Sequence, residues 1–260
     1  MSSLAAGHPV RHALGHAADL LRHAHHAVAL TGAGISTPSG IPDFRSAGDG
    51  LWERYDPMAV ASLTRFRYDP EGFYAFLQPL ATRFLTAEPN PGHRALARLE
   101  RAQRLIGVIT QNIDQLHQRA GSQHVLEIHG NVRRATCIVC YHEVDAQPYL
   151  ERFVECGTIP RCEACGGVLK PNLILFGEEL PQAVFYRARA WCAAADVLLI
   201  AGSSLEVTPA SLLPQVALDA GASLIIVNRA PTYIDERAEA VFRDDLVEIL
   251  PDLAAEVLGG

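Results

Sequence analysis

Four cysteines in two Cys-x-x-Cys pairs, Cys137 with Cys140 and Cys162 with Cys165, carry the sharpest chemical signal in this chain. Two thiolate pairs on separate turns complete a tetrahedral zinc shell, with Zn–S near ~2.3 Å. Four thiolates leave no open position for water, so the predicted metal is one structural zinc ion. The gap from Tyr141 to Arg161 is close to the roughly 15–20 residues of a zinc ribbon. Four reduced thiols are the alternative, and they leave residues 131–170 with too little core to hold together. Cys156 has no Cys-x-x-Cys partner and is a weak rival ligand. Cys192 sits in an apolar helical stretch and reads as a core residue.

A second signal is the glycine pair Gly32 and Gly34, with Ala33 between them and Ile35 after them. It follows an apolar run over 28–31, long enough for one buried strand. Glycines after a strand let backbone N–H groups approach a phosphate. Ser36 is placed to cap a short helix whose N-terminus would face the same anion. The third glycine of a Rossmann fingerprint is missing, and so is a convincing acid ~20 residues on. Glu53 has that spacing but lies in a polar stretch. The pair fits a phosphate site and fits equally a tight turn that needs only small residues.

Three further polar groups follow apolar runs. Gln111, Asn112 and Asp114, with Ile113 among them, form either a turn with side-chain to backbone bonds or a cradle for ribose hydroxyls and a carboxamide. His129, before Gly130, is either a structural histidine or a group with a pKa suited to acid–base work. Gly202, Ser203 and Ser204 are placed to take phosphate or ribose oxygens.

These residues need elements to position them. Strands are predicted over 28–31, 105–110, 125–128, 173–175, 197–201 and 224–227. Helices are predicted over 9–27, from Pro91 to about Arg101 behind an Asn90 cap, and over 182–194, 209–220 and 245–258. Residues 52–87 read as helical, interrupted by Pro57, Pro70 and Pro79. The run from Ser46 to Gly50 reads as a loop that closes over a ligand. Strands alternating with helices predict an α/β fold, a Rossmann-like parallel sheet with helices on both faces. Residues 1–130 and 171–260 would form it, with a helical insert at about 46–90. Residues 131–170 would form a small zinc module.

Composition bounds the function. The 260 residues suit one α/β domain or one plus a small insert, and 49% hydrophobic residues supply an ample core. A net charge of −7 argues against a nucleic-acid surface. No apolar run approaches the ~18 residues of a membrane span. Residues 1–9 lack a signal-peptide core, so a cytoplasmic protein is expected. His8, His12, His16, His23, His25 and His26 read as a solvated helix face rather than a metal site.

From Gly32 to Arg45 the chain resembles the signature of the sirtuins, the NAD-dependent protein deacylases. Thr110 to Asp114, His129-Gly130, the two cysteine pairs, Lys170 to Glu178, Gly202 to Leu205 and Val227-Asn228 also resemble family motifs, in the family's order. The resemblance spans roughly residues 25–250. It implies an NAD-dependent protein-lysine deacetylase that yields free lysine, nicotinamide and O-acetyl-ADP-ribose. It implies His129 as general base, and Gln111, Asn112, Ile113 and Asp114 around nicotinamide and its ribose. Asp43, Phe44 and Arg45 would stand beside the nicotinamide, with Gly32, Ala33, Gly34, Ile35, Gly202, Ser203 and Ser204 completing the NAD site. Asn228 would read the adenine-side ribose, and Leu246 would meet the adenine. Ile174, Phe176, Gly177, Glu178 and, opposite them, Val207 would bind an acetyl-lysine protein as an extended peptide, with the Ile174 carbonyl accepting the acyl-lysine N–H. The same apolar run also fits a plain core strand. The implied enzyme is a monomer.

The resemblance also bears on acyl choice. Family members that prefer acidic acyl groups carry a Tyr and an Arg three residues apart, on the helix before a turn like Pro89 to His93. The same spacing lands near Leu77 and Leu80 here, while Tyr74 and Arg83 lie too far apart to substitute. Acetyl and aliphatic acyl groups are therefore expected substrates, with succinyl and malonyl poor. Two other classes remain. An ADP-ribosyltransferase would share the NAD residues but needs no acyl tunnel. A non-catalytic nucleotide-sensing module would not need His129 and Asn112.

Overall fold

In the computed structural model, which describes residues 8–43 and 50–259, helix and strand alternate from the first described turn. Helix α1, His8–His23, buries Ala17, Ala18 and Leu21. It stops short of the predicted 27 because Ala27 already belongs to strand β1, Ala27–Thr31, buried at every position. Two 3-10 turns follow, Ala33–Ile35 and Thr37–Ser39. The helical run predicted over 52–87 is four helices: α2 Leu51–Arg54, α3 Pro57–Val60, α4 Leu63–Tyr68 and α5 Pro70–Thr86. Pro57 and Pro70 start helices, where a missing N–H costs nothing. Asp56, Ser62 and Asp69 cap α3, α4 and α5 with their side chains. Pro79, expected to interrupt, lies inside α5.

Helix α6, Pro91–Arg101, begins at the predicted Asn90 cap. Then come β2 Gly107–Thr110, α7 Leu116–Ala120, β3 Val125–Glu127, β4 Gly130–Cys137, β5 Glu143–Asp145, α8 Gln147–Cys156 and β6 Leu169–Leu173. The chain closes with α9 Gln182–Ala194, β7 Val197–Ala201, α10 Leu213–Asp219, β8 Ser223–Val227, β9 Ala240–Phe242 and α11 Leu246–Leu258.

Six strands form one parallel sheet in the order β3-β2-β1-β7-β8-β9. Residues of α1, α6 and α11 pack on one face, and those of α9 and α10 on the other. The chain builds outward from β1 on one side, then returns to β7 and builds outward on the other. The crevice at such a switch point, beyond the strands' C-terminal ends, is where ligands bind in open α/β sheets.

The strand expected over 173–175 is not in this sheet. Its true element, β6, starts earlier and pairs antiparallel with β4 in a second sheet, β5-β4-β6. Leu169, Pro171 and Leu173 alternate inward, a half-buried period that the apolar run 173–175 conceals. This sheet carries only a small core of Ala135, Cys137, Ala146, Cys162 and Leu169. It leans on α4 and α5, where Phe66 of α4 and Phe73 of α5 meet edge to face, Phe73 and Tyr74 do the same, and the Tyr74 hydroxyl donates to the Leu169 carbonyl at 2.5 Å. No helix among the described residues is long and apolar enough to cross a membrane.

Candidate active site and metal centre

The loops after β1 and β7 close on each other. Gly32 N–H donates to the Ala201 carbonyl and Gly34 N–H to the Gly202 carbonyl, at 3.2 and 2.9 Å. A Cβ on Gly34 would stand 2.9 Å from Gly202 Cα, and one on Gly202 would stand 2.3 Å from the Ile35 nitrogen. Gly202 also has φ +63, a conformation that glycine adopts without strain. The glycines therefore serve loop-on-loop packing first, and the turn they make lines a cavity of about 1040 Å³.

Behind that turn lies a buried polar network. Ser36 does not cap a helix; the turns beside it are single 3-10 turns, and its hydroxyl donates to Asp114 Oδ2 at 2.6 Å. Asn112 Nδ2 donates to Ser36 Oγ and to the Gly32 carbonyl, at 3.1 and 3.0 Å. Leu116 N–H donates to Asp114 Oδ1. Burial pushes the Asp114 pKa up, and the Ser36 hydrogen bond opposes this. Gln111 Nε2 reaches Ser203 Oγ at 2.9 Å, joining the loops after β2 and β7.

Two histidines that sequence reasoning missed complete the network. Asn90 N–H donates to His93 Nδ1, so Nε2 carries the proton and faces Ser36 Oγ at 3.4 Å. His117 Nε2 stands 2.9 Å from Thr31 Oγ1, which itself donates to Thr110. The rings meet edge to face, 4.8 Å between centroids. Burial, with the Arg94 charge, lowers the His93 pKa to about 4, and burial pulls His117 well below the usual range. His93 was legible as the third residue of a capping box behind Asn90. His117 carries no comparable local signal.

His129 lies half-buried at the cavity wall. Its Nδ1 stands 3.1 Å from the Gln111 carbonyl, which can only accept. The proton is thereby fixed on Nδ1, and Nε2 keeps a lone pair suited to a base.

The far end of the cavity is apolar. Trp52 stacks on Phe76 and meets Phe176 edge-on, and Leu77 and Leu80 join the lining as the acyl argument expects. Ile174, Phe176, Gly177, Glu178 and Val207 line the same cavity. Both Phe176 backbone groups are consumed by Ala61, which follows α3, and Leu63, which opens α4. Ile174 N–H donates to the His129 carbonyl, and the Ile174 carbonyl is taken by no other described residue.

The four cysteine sulfurs lie within 4.8 Å of one another. Cys137 to Cys165 is 3.4 Å, Cys140 to Cys165 is 3.3 Å and Cys140 to Cys162 is 3.7 Å. Tetrahedral zinc with ~2.3 Å bonds needs sulfurs about 3.8 Å apart, so the donor set fits one zinc. Cys156 Sγ is engaged elsewhere, by the Arg152 carbonyl and Thr158. Among the described residues no histidine cluster joins a metal-sized group.

Gly32, Ala33, Gly34, Asp43, Gln111, Asn112, Ile113, Asp114, Gly202, Ser203, Ser204, Asn228 and Leu246 all line the cavity. Ile35 does not; its side chain is fully buried in the main core. Phe44, Arg45 and residues 46–49, where a closing loop is expected from the sequence, lie outside the described residues.

A parallel sheet with its crevice at the switch point, a glycine turn and a second apolar chamber define a dinucleotide-using enzyme of the Rossmann-like class. The profile of the Sir2 family matches residues 32–209. An NAD-dependent protein deacylase 2 of Archaeoglobus fulgidus is 46% identical over 242 residues, 93% of this chain and 94% of the relative. An NAD-dependent protein deacetylase of Haloarcula marismortui is 45% identical over 90% of each chain. A solved Sir2 enzyme structure matches with TM-score 0.90 at 44% identity, covering 96% of this chain and 99% of that one. A Sir2 structure with a p53 peptide and NAD+ matches with TM-score 0.84 at 39% identity, over 93% and 97%. The chain belongs to the Sir2 family.

Proposed function

We propose that this chain removes acetyl groups from protein lysines, consuming NAD and releasing nicotinamide and O-acetyl-ADP-ribose. One observation carries the reading: a single cavity joins a buried polar cradle to an apolar chamber, with His129 on the wall they share. NAD supplies an activated ribose carbon that takes the acetyl oxygen when nicotinamide leaves.

The residues divide the work. The turn Gly32–Gly34 with Ser203 and Ser204 holds the phosphates. Asn112 and Asp114, braced by Ser36, hold the nicotinamide and its ribose, with Gln111, Ile113 and Asp43 around them. Asn228 and Leu246 meet the adenosine. Phe44 and Arg45 are assigned to the nicotinamide end on their place in the sequence. His129 Nε2 takes a proton from a ribose hydroxyl. The peptide lies extended between Ile174–Glu178 and Val207, its acyl-lysine N–H on the Ile174 carbonyl. Zinc on Cys137, Cys140, Cys162 and Cys165 holds the module 131–170 on the large domain. The enzyme acts as a cytoplasmic monomer on proteins, without nucleic acid or membrane.

The test is an acetylated peptide incubated with NAD, with mass spectrometry of both products. Acetyl on ADP-ribose supports the reading. ADP-ribose attached to the peptide would replace it with a transferase.

A further inference from the structure

Lys170 and Glu178 form an ion pair at the edge of the chemistry, 14% and 19% exposed, with 2.9 Å between Nζ and Oε2. Each also serves the backbone between them. Lys170 Nζ donates to the Pro171 and Leu173 carbonyls at 3.1 and 2.9 Å. The paired Glu178 oxygen accepts the Leu175 N–H at 2.8 Å. Residues 175–178 make a turn closed by Glu178 N–H to the Leu175 carbonyl at 3.0 Å. Gly177 takes φ +87, the position that a type II turn gives to glycine.

The consequence is a segment with almost no free backbone. Leu175 is tied to Glu178, Phe176 is tied to the helical insert, and the Ile174 N–H is tied to His129. The Ile174 carbonyl remains for a peptide. Lys170 stands on β6, the strand that pairs with the zinc-bearing β4. Burial pushes the Lys170 pKa down and the Glu178 charge opposes that, so the ammonium depends on its partner. Removing Lys170 leaves Glu178 poorly compensated and frees the Pro171 and Leu173 carbonyls, and removing Glu178 leaves the ammonium poorly compensated and frees the Leu175 N–H.

We propose that Lys170 and Glu178 are positioning residues for the acyl-lysine substrate, an ionic brace that ties the zinc-bearing sheet to the segment presenting the Ile174 carbonyl. Neither touches NAD or the reacting atoms. The inference rests on the deacetylase reading of the cavity.

The experiment compares Lys170→Met, Glu178→Gln and Lys170→Arg with the parent enzyme. Binding of a fluorescent acetyl-lysine peptide, KM for that peptide, kcat and NAD affinity are measured, with zinc content and a thermal melt. Lys170→Met is expected to weaken peptide binding and raise its KM by about 10-fold or more, from lost hydrogen bonds to a charged group. Glu178→Gln is expected to lose several-fold, and Lys170→Arg to recover most of the parent affinity. In the Lys170 variants NAD affinity and kcat at saturating peptide should stay near the parent values. Parent-like peptide affinity in both Lys170→Met and Glu178→Gln overturns the brace, and so does an equal loss of NAD and peptide binding. If Lys170→Met does not fold, Lys170→Gln takes its place, since Lys170 lies outside the cavity lining. A parent that binds no acetyl-lysine peptide sinks the deacetylase reading and the brace together. A parent that binds it, with variants that match it, sinks only the brace.

Discussion

The two ends of the cavity rest on different physics. At the polar end each side chain has a directional partner: Ser36 with Asp114, Asn112 with Ser36 and Gly32, Gln111 with Ser203. At the apolar end Trp52, Phe76, Leu77 and Leu80 offer surface and, apart from the indole N–H, no polar atom. A directional site fails when one atom is lost, because its buried partner is left unpaired. An apolar chamber responds by volume, and its losses are graded. The polar end belongs to the large sheet. The apolar end leans on helices α4 and α5 and, through Leu173, on the β5-β4-β6 sheet.

The largest effect should separate the ends outright. Cys137→Ala is expected to take the zinc content from one per chain to none and to abolish peptide turnover, while NAD binding survives. Metal analysis beside an NAD titration checks it. Cys156→Ala should keep its zinc, and loss of metal there would overturn the ligand set.

His129→Ala strikes the wall between the ends. Turnover should fall by ~10²-fold or more with NAD affinity nearly unchanged, the usual range for a lost general base. Deacetylation at the parent rate would mean that another group takes the proton.

The apolar end is sharpened by an acyl series on one peptide. Succinyl- and malonyl-lysine should show kcat/KM lower than acetyl-lysine by about 10²-fold, since an unpaired buried carboxylate costs several kcal/mol. Butyryl-lysine should hold its rate, each buried methylene contributing ~0.8 kcal/mol. Succinyl equal to acetyl would require a cation in the chamber. Arg83 is committed elsewhere, donating to the Gly40 carbonyl at 2.6 Å.

The polar end is tested last through pH. His93 has its folded pKa lowered from 6.5 to about 4, so the unfolded chain binds a proton that the folded chain refuses. Stability from this group is present above pH 6.5 and is lost as pH falls towards 4. The unfolding free energy should therefore drop across that window by an amount on the order of 3 kcal/mol from His93, and the like-shifted His117 pulls in the same direction. His93→Gln should flatten the slope. An unchanged slope would mean that the buried pair does not titrate on unfolding.

Local signals were read well where chemistry is local. Apolar runs over 28–31, 197–201 and 224–227 all became strands of the parallel sheet, because buried parallel strands need unbroken apolar sequence. Asn90 with Pro91 began a helix as expected. The two cysteine pairs met, since their spacing already placed each pair on one turn. Short elements with weak patterns were missed, as with the strand Ala240–Phe242, or misjudged, as with Pro79 inside a helix. Leu173 to Leu175 looked like a strand of the main sheet because three apolar residues carry no record of their partner.

The alternation of strands and helices, the two cysteine pairs and the polar residues at strand ends are all written locally in the chain. These follow from propensity, periodicity and spacing within a few residues. Tertiary structure decided what those residues touch. Ser36 meets Asp114 across 78 positions, Gln111 meets Ser203 across 92 and Thr31 meets His117 across 86. Ile35 turned into the core, and Gly34 became a contact for Gly202. Hydrogen bonds reach only about 3 Å. Partners so distant in sequence meet only once the strand order β2-β1-β7 brings their loops to one edge of the sheet.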